Sequence, residues 1–380
     1  AQSSRGRSVI LRWRLVISEQ DLHKMRQAFI LFASATVTST AAPIDGATYL
    51  VIGDWGGQDT GPQTTEGEIG VAKGMGYAFG SATKSPAAVI SLGDHVYDGG
   101  VSSVEDPRWN ITYENVFSPS AMGGAYASPW RPVLGNHDHE GNASAQLAYS
   151  SLSSRWQFHS LYYDWVADVG NGLRAHFVMV DAFMLAGECD APPTGGNPPD
   201  PAEAEKEWTW IKETLSNSNA DFLIVAGHYP VWSVCGHGPC YVMRDRLRPL
   251  LEEANISLML SGHDHCAQHL HAAGISYHGV GAGFGCDNST QAPSKHVVPD
   301  DALKWWWNCP QYPFVSIPTE SCNVNGGVGA FAALTFNKSG LTVDHYDSTG
   351  QKLYAAPPIM PRQGMKPNSM RTYSTEEFFV

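Results

Sequence analysis

Apolar residues in this chain gather in short runs, and five of these runs stop at a glycine followed at once by Asp, Asn or His. Residues 47–52 close on Gly53-Asp54-Trp55-Gly56, 87–92 on Gly93-Asp94-His95-Val96-Tyr97, and 130–134 on Gly135-Asn136-His137-Asp138. Residues 222–226 close on Gly227-His228-Tyr229-Pro230, and 256–260 lead to Gly262-His263-Asp264-His265. Runs of this length bounded by turn residues predict buried strands. Glycine lets the chain turn sharply, so each polar side chain is presented at the mouth of a sheet.

Between these strands the pattern changes period. Residues 64–80 and 243–254 predict helices, as do 203–215, where Trp208, Ile211 and Leu215 share one face. A short helix is expected within 107–117, and further strands at 161–165 and 175–180. Residues 189–201 are rich in Pro and Gly and predict an irregular loop. The end of the chain reads as antiparallel, with strands at 275–280, 330–336 and 341–346 and a hairpin loop at Asn337-Lys338-Ser339-Gly340. An irregular insertion, 287–325, carries Trp305-Trp306-Trp307. Early βα units followed by late hairpins predict an α/β sandwich, two packed mixed sheets with helices outside.

The net charge of -13 and the lack of a basic block exclude a nucleic-acid surface. No stretch is long and apolar enough to span a bilayer, so no stable membrane insertion is expected. Residues 25–41 have a basic start, an apolar middle and a small-residue end, the layout of a secretory signal. Met25 is the expected initiator, and the residues before it are expected to be read-through. This divides the chain into a signal segment (1–41), a catalytic domain (42–356) and a poorly ordered tail (357–380). Sequons at Asn110, Asn142, Asn255, Asn288 and Asn337 agree with secretion. Seven cysteines without zinc-finger spacing agree with an oxidising compartment, the odd number leaving one unpaired.

The strand ends offer seven ligands: Asp54, Asp94, Tyr97, Asn136, His228, His263 and His265. One metal ion cannot use them all, whereas two ions sharing one carboxylate can each take four. In Gly262-His263-Asp264-His265 the alternation lets two imidazoles face two adjacent metals, with Asp264 pointing away or supporting them.

This order of motifs resembles that of the calcineurin-like metallophosphoesterases. Most of that superfamily has Asp-x-His in the first block. Here Asp54-Trp55-Gly56 lacks the histidine, and Tyr97, in Gly-Asp-x-x-Tyr, stands in for it. The exchange resembles the purple acid phosphatases, in which a tyrosinate binds Fe(III); a hard, highly charged ion prefers phenolate and carboxylate. Residues 53–57, 135–139, 141–150 and 226–233 are similar to the small mammalian-type enzymes (tartrate-resistant, uteroferrin-like), and the resemblance spans 48–346.

The resemblance implies a four-layer sandwich of two mixed β-sheets flanked by helices. It implies a monomeric acid phosphatase acting on phosphate monoesters in a secreted or lysosome-like compartment. The alternative on this scaffold is a phosphodiesterase or nucleotide hydrolase, against which Tyr97 and the missing histidine count. By position, Fe(III) would be held by Asp54, Asp94, Tyr97 and His265. A divalent ion (Fe, Zn or Mn) would be held by Asp94, Asn136, His228 and His263, with Asp94 bridging. Two cations offset repulsion between the phosphate dianion and an anionic nucleophile, and Fe(III) makes bound water acidic enough to supply hydroxide for in-line attack. His137 and His237 match the family's substrate-facing histidines, giving a proton to the leaving alkoxide or holding the phosphate. For His237 a structural role stands beside the catalytic one, since Gly236-His237-Gly238-Pro239 is good turn sequence.

Three departures stand out. His95 replaces the usual Asn and is expected to alter the pocket or bind phosphate. Gly236 stands where close relatives have Glu. The Trp-rich insertion has no recognised counterpart. Cys189 and Cys240 match the family's disulfide, which would tie loop 189–201 to the His237 segment as a protease-sensitive lid; the plain alternative is a surface connection.

Overall fold

Each of the five runs forms a strand, and the strands sort into two sheets. The computed structural model describes residues 46–59, 61–81, 85–189, 197–286, 298–309 and 329–362. The signal segment, the Asn288 sequon, Cys322, loop residues 190–196 and the tail beyond 362 lie outside these.

In chain order the strands are β1 (Thr48–Ile52), β2 (Ala88–Ser91), β3 (Trp130–Pro132), β4 (Tyr163–Gly170), β5 (Leu173–Met179), β6 (Phe222–Ala226) and β7 (Leu258–Ser261). They continue with β8 (Ala267–Ala272), β9 (Ile275–Val280), β10 (Leu303–Trp306), β11 (Ala330–Asn337), β12 (Gly340–Asp347) and β13 (Lys352–Ala355). One sheet has the order β13-β12-β11-β1-β2-β3, the other β10-β8-β9-β7-β6-β5-β4. β1, β2 and β3 are parallel, as are β5, β6, β7 and β9. The remaining pairings are antiparallel.

Burial on both faces explains why the parallel strands are apolar throughout, as in β6, where every residue is buried. Between the sheets Val51, Ile90 and Leu334 share a core with Phe177, Ile224 and Leu260. The helix Glu66–Phe79 covers the outer face of the first sheet, packing Val71 and Met75 with Leu50 and Ile52. It starts at a capping box in which Thr65 and Glu68 satisfy each other's backbone N–H groups. The helix Pro201–Asn217 covers the second sheet through Trp208, Ile211 and Leu215. Asp200 caps it, and Pro201 occupies the first turn, where no N–H is needed. The result is the expected four-layer sandwich, with the C-terminal ends of β1, β2, β3, β6 and β7 leading into the five polar motifs.

Several elements differ from their predicted form. The helix expected at 107–117 is a single π-type turn, Trp109–Glu114. That expected at 243–254 begins with another, Met243–Leu247, before the α-helix Arg248–Glu253. β8 is not visible as an apolar run because Gln268 and His269 lie in its buried stretch. Both are satisfied: the Gln268 amide donates to Ser233 Oγ and accepts from Val234 N–H, while His269 meets Tyr354 and Ser276. Part of the insertion is regular, since β10 pairs with β8, and Trp305 stacks flat on Tyr354 at 4.7 Å. The expected poorly ordered tail is anchored as far as Arg362. Ile359 exchanges backbone hydrogen bonds with Leu341, and the Arg362 guanidinium donates to the carbonyls of Ser218, Ala220 and Ala254.

Disulfides join Cys189 to Cys240, Cys235 to Cys266 and Cys286 to Cys309. The first is the pair implied by resemblance. The exposed Asn142 also holds its surroundings together. Its Oδ1 caps the helix Ala143–Tyr149 at Ala145 N–H, and its Nδ2 donates to Ser102 O.

Candidate dimetal site

Asp54, Asp94 and His263 follow their strands with φ of 56°, 54° and 68°. Non-glycine residues rarely occupy this left-handed region, and such strain persists where the surroundings over-determine it. Here the turn aims all three side chains at one point. Glycine precedes each of them because the backbones approach closely: a Cβ on Gly262 would lie 2.5 Å from Asp54 Oδ2.

All seven candidate ligands at the strand ends come together. Asp54, Asp94 and His228 offer ligand atoms within 4.8 Å of one another. The Tyr97 hydroxyl lies 3.2 Å from Asp54 Oδ1, 3.1 Å from Asp94 Oδ2 and 3.1 Å from His265 Nε2. On the other side, His228 Nε2 is 3.0 Å from Asn136 Oδ1 and 3.4 Å from Asp94 Oδ2. The His263 ring packs 5.1 Å from that of His228. Asp54, Tyr97 and His265 therefore form one group, Asn136, His228 and His263 a second, and Asp94 touches both.

The surrounding bonds set the aim of these groups. His228 Nδ1 donates to the Leu92 carbonyl at 2.7 Å, which leaves Nε2 facing the site. Buried Asp138 accepts from the N–H groups of Asp94, His95 and Gly135 and from Gln146 Nε2. It thereby pins the β2 and β3 turns together. Arg108 donates to the carbonyls of Tyr97 and Gly56, both at 2.7 Å, tying the phenol to the first turn. Asp264 lies outside the ligand set and accepts from His237 N–H at 2.7 Å, which is the supporting role considered for it.

The electrostatics call for added positive charge. Burial, opposed by His228 and reinforced by Asp94, holds the Asp54 carboxyl well above the usual carboxylate range. Burial works against charge on Asp94 too, but His228 outweighs it and holds this carboxyl well below that range. Burial opposes a charged His228 as well, yet Asp94 and Asp54 push its pKa up to about 10. Burial and then the two carboxylates hold the Tyr97 proton firmly. Two carboxylates and a phenol buried together, with imidazoles as the partners nearest to hand, suit a bound cation. The oxygen-rich first group fits a hard trivalent ion, and the second, with two imidazoles, fits a borderline divalent one.

His137 and His237 stand beside this cluster. The His137 ring is 4.8 Å from Tyr97 and its side chain is 29% exposed, so it can meet solvent and substrate. Its backbone N–H donates to Asp94 Oδ1 at 3.2 Å. The His237 ring packs 4.5 Å from His263 and 5.9 Å from His265. His95 does not line the pocket, contrary to expectation. It is fully buried, with Nδ1 on Gln146 Oε1 at 2.9 Å and its ring between Trp55 and Trp156. An aromatic core offers it better packing than the mouth does. Phe284 is a contributor that residue patterns did not reveal. It lies 5.0 Å from the Tyr97 ring and 4.7 Å from that of His265, giving the first group an apolar wall. Its only sequence signal is a lone aromatic among glycines.

His139, one turn beyond Asn136, ties the short helix Asn136–Glu140 to Asp181, with Nε2 2.9 Å from Asp181 Oδ2. Burial pulls the imidazole pKa down, but the Asp181 carboxylate outweighs it and the net shift is upward. A raised folded-state value contributes stability that is fully present below the unfolded value near 6.5 and is lost as pH rises through the folded value. The melting temperature of His139→Ala is expected to drop about 3 °C more at about pH 5 than at about pH 9. Equal drops at both would show that the charge on His139 adds nothing to stability.

The profile of the calcineurin-like phosphoesterase family matches residues 47–267. Tartrate-resistant acid phosphatase type 5 of Mus musculus is 32% identical over 322 residues, covering 84% of this chain and 92% of the mouse protein. Purple acid phosphatase 4 of Arabidopsis thaliana is 29% identical, covering 84% of this chain and 86% of the plant protein. Among solved structures, GAP50, the anchor in the inner membrane complex of Plasmodium, shares the fold. Its TM-score is 0.67 at 23% identity, over 84% of this chain and 91% of that one.

Proposed function

Because the chain belongs to the calcineurin-like phosphoesterase family, with mammalian and plant acid phosphatases among its relatives, we propose that its seven convergent ligands hold Fe(III) and a divalent ion for hydrolysis of phosphate monoesters. The observation that carries this reading is Asp94, whose carboxylate reaches both ligand groups. Fe(III) is assigned to Asp54, Asp94, Tyr97 and His265, and the divalent ion (Fe, Zn or Mn) to Asp94, Asn136, His228 and His263. When bound, such ions supply Lewis-acid charge for the phosphate oxygens and an acidified water as nucleophile.

The protein's own part is orientation and proton handling. Asp54 accepts from His263 N–H, which couples the two ends of the ligand set. His137, exposed at the rim, gives a proton to the leaving oxygen or holds the phosphate as a cation. His237, steadied by Asp264, takes the same part on the opposite side. Phe284 shields the phenol and His265 from water.

Two measurements test the assignment. Turnover of p-nitrophenyl phosphate at acid pH is expected to exceed that of its bis-ester; the reverse would favour a diesterase. Purified protein is expected to contain iron and to absorb in the visible, with Tyr97→Phe losing the colour but keeping part of the activity. A colourless, iron-free and fully active wild type would falsify the iron assignment.

We also assign the protein to a secreted or lysosome-like compartment. The three disulfides support an oxidising environment. No helix among the described residues is long and apolar enough to cross a membrane. N-terminal sequencing of expressed protein is expected to start near Ala42, and a start before Met25 would overturn the signal reading.

A further inference from the structure

Two segments with no part in the catalytic reading, the Trp-rich insertion and the stretch beyond β13, meet at one cavity of about 380 Å³. It lies at the end of the second sheet away from the metal ligands. Ser257 enters β7 there, and His271 and Gly274 flank the β8–β9 hairpin turn, whereas His263 and His265 follow the other end of β7. A volume of this size is in the range of small-molecule sites, about 300–1,000 Å³. Except for Ser257, its lining falls after residue 267, where the match to the family profile ends.

The lining has two characters. Lys304, His271 and the hydroxyls of Ser257 and Ser276 are polar; the Pro357-Pro358-Ile359-Met360 segment is apolar. Among the described residues no carboxylate lines it, although the chain as a whole carries a net charge of -13. Lys304 gives one N–H to the Asp301 carbonyl at 2.6 Å, and an ammonium has three to give. Ser257 Oγ accepts from Leu223 N–H at 3.2 Å and keeps its own hydrogen to donate. His269 is wall rather than donor, since its two nitrogens are engaged by Tyr354 and Ser276. Met360 is 63% exposed, an uncovered apolar side chain at the rim. The apolar wall itself is fixed, because Ile359 is bonded to β12 and Arg362 clamps the chain just beyond it.

We propose that this cavity binds a small amphiphilic monoanion, a carboxylate carrying an aromatic or short aliphatic tail. Lys304 and His271 meet the carboxylate, the Ser257 hydroxyl adds a donor, and the Pro-Pro-Ile-Met segment covers the tail. A bare phosphate ion would leave the apolar wall unused.

The test is calorimetric titration of phenylacetate into the metal-loaded, full-length protein at saturating inorganic phosphate, which keeps the carboxylate off the catalytic metals. One saturable site is expected. Lys304→Ala should weaken it at least about tenfold, and the neutral analogue phenylethanol should bind at least about tenfold more weakly than phenylacetate. Met360→Asp, at the rim, should weaken phenylacetate as well. Both variants should keep wild-type turnover of p-nitrophenyl phosphate. The proposal is overturned if no saturable heat appears up to about 10 mM, or if binding appears only when phosphate is left out. Equal affinity of Lys304→Ala and wild type, or of the neutral and charged probes, overturns it too.

Discussion

Asp94→Asn is expected to lose both metal ions and at least about 10³-fold in turnover, equivalent to about 4 kcal/mol of transition-state stabilisation. The wild-type carboxylate lies 3.1 Å from the Tyr97 hydroxyl and 3.4 Å from His228 Nε2, so one side chain serves both ligand groups. Its other oxygen accepts from His137 N–H. An amide removes the charge and turns one of these oxygens into a donor. If the NH₂ faces His137 N–H, two donors collide; if it faces the metals, a ligand is lost. His263→Ala is the contrast, and should mainly empty the divalent position. Metal analysis of the two variants beside wild type decides the matter, and two ions retained in Asp94→Asn would sink the bridging role.

Asp138→Ala is expected to cost about 3–5 kcal/mol of stability, lowering the melting temperature by about 10 °C. Asp138 is fully buried and accepts from three backbone N–H groups, at 2.8, 3.0 and 2.9 Å, and from Gln146 Nε2 at 2.7 Å. Removing the carboxylate strands these donors, and each buried donor left unsatisfied costs about 1–3 kcal/mol, not fully additively. Asp138→Asn keeps one acceptor and should lose roughly half as much. The two turns that Asp138 joins carry Asp94 and Asn136, so metal affinity should fall along with stability. A loss below about 1 kcal/mol for Asp138→Ala would mean the turns hold their shape without it.

Of these two effects only the first could be anticipated from residue order. Asp94 sits in a Gly-Asp pair after an apolar run, and that local signal recurs at the other strand ends. The role of Asp138 depends on which way a carboxylate turns in the first helical turn after β3, and on N–H groups more than forty positions earlier in the chain. His95 misled for the related reason that residues neighbouring in sequence can face opposite ways. Asp94 faces the metal ligands, while His95 goes into the Trp55–Trp156 cluster. Phe284 is one aromatic among fourteen phenylalanines, distinguished only by landing on Tyr97 and His265.

Residue order alone was enough to specify the strands that end in polar turns, the seven side chains that converge there as candidate ligands and the layering of sheets and helices. Those properties are set by local periodicity, by glycine at tight turns and by donor chemistry, all of which are written within a few neighbouring positions. Long-range packing was needed to show how Asp138 and Arg108 hold the turns, and to make β8, β10 and β13 strands at all. It also brought the segment after β13 over to close a cavity with Lys304. Each of these depends on partners far away along the chain, and a polar residue can be buried only where such a partner satisfies it.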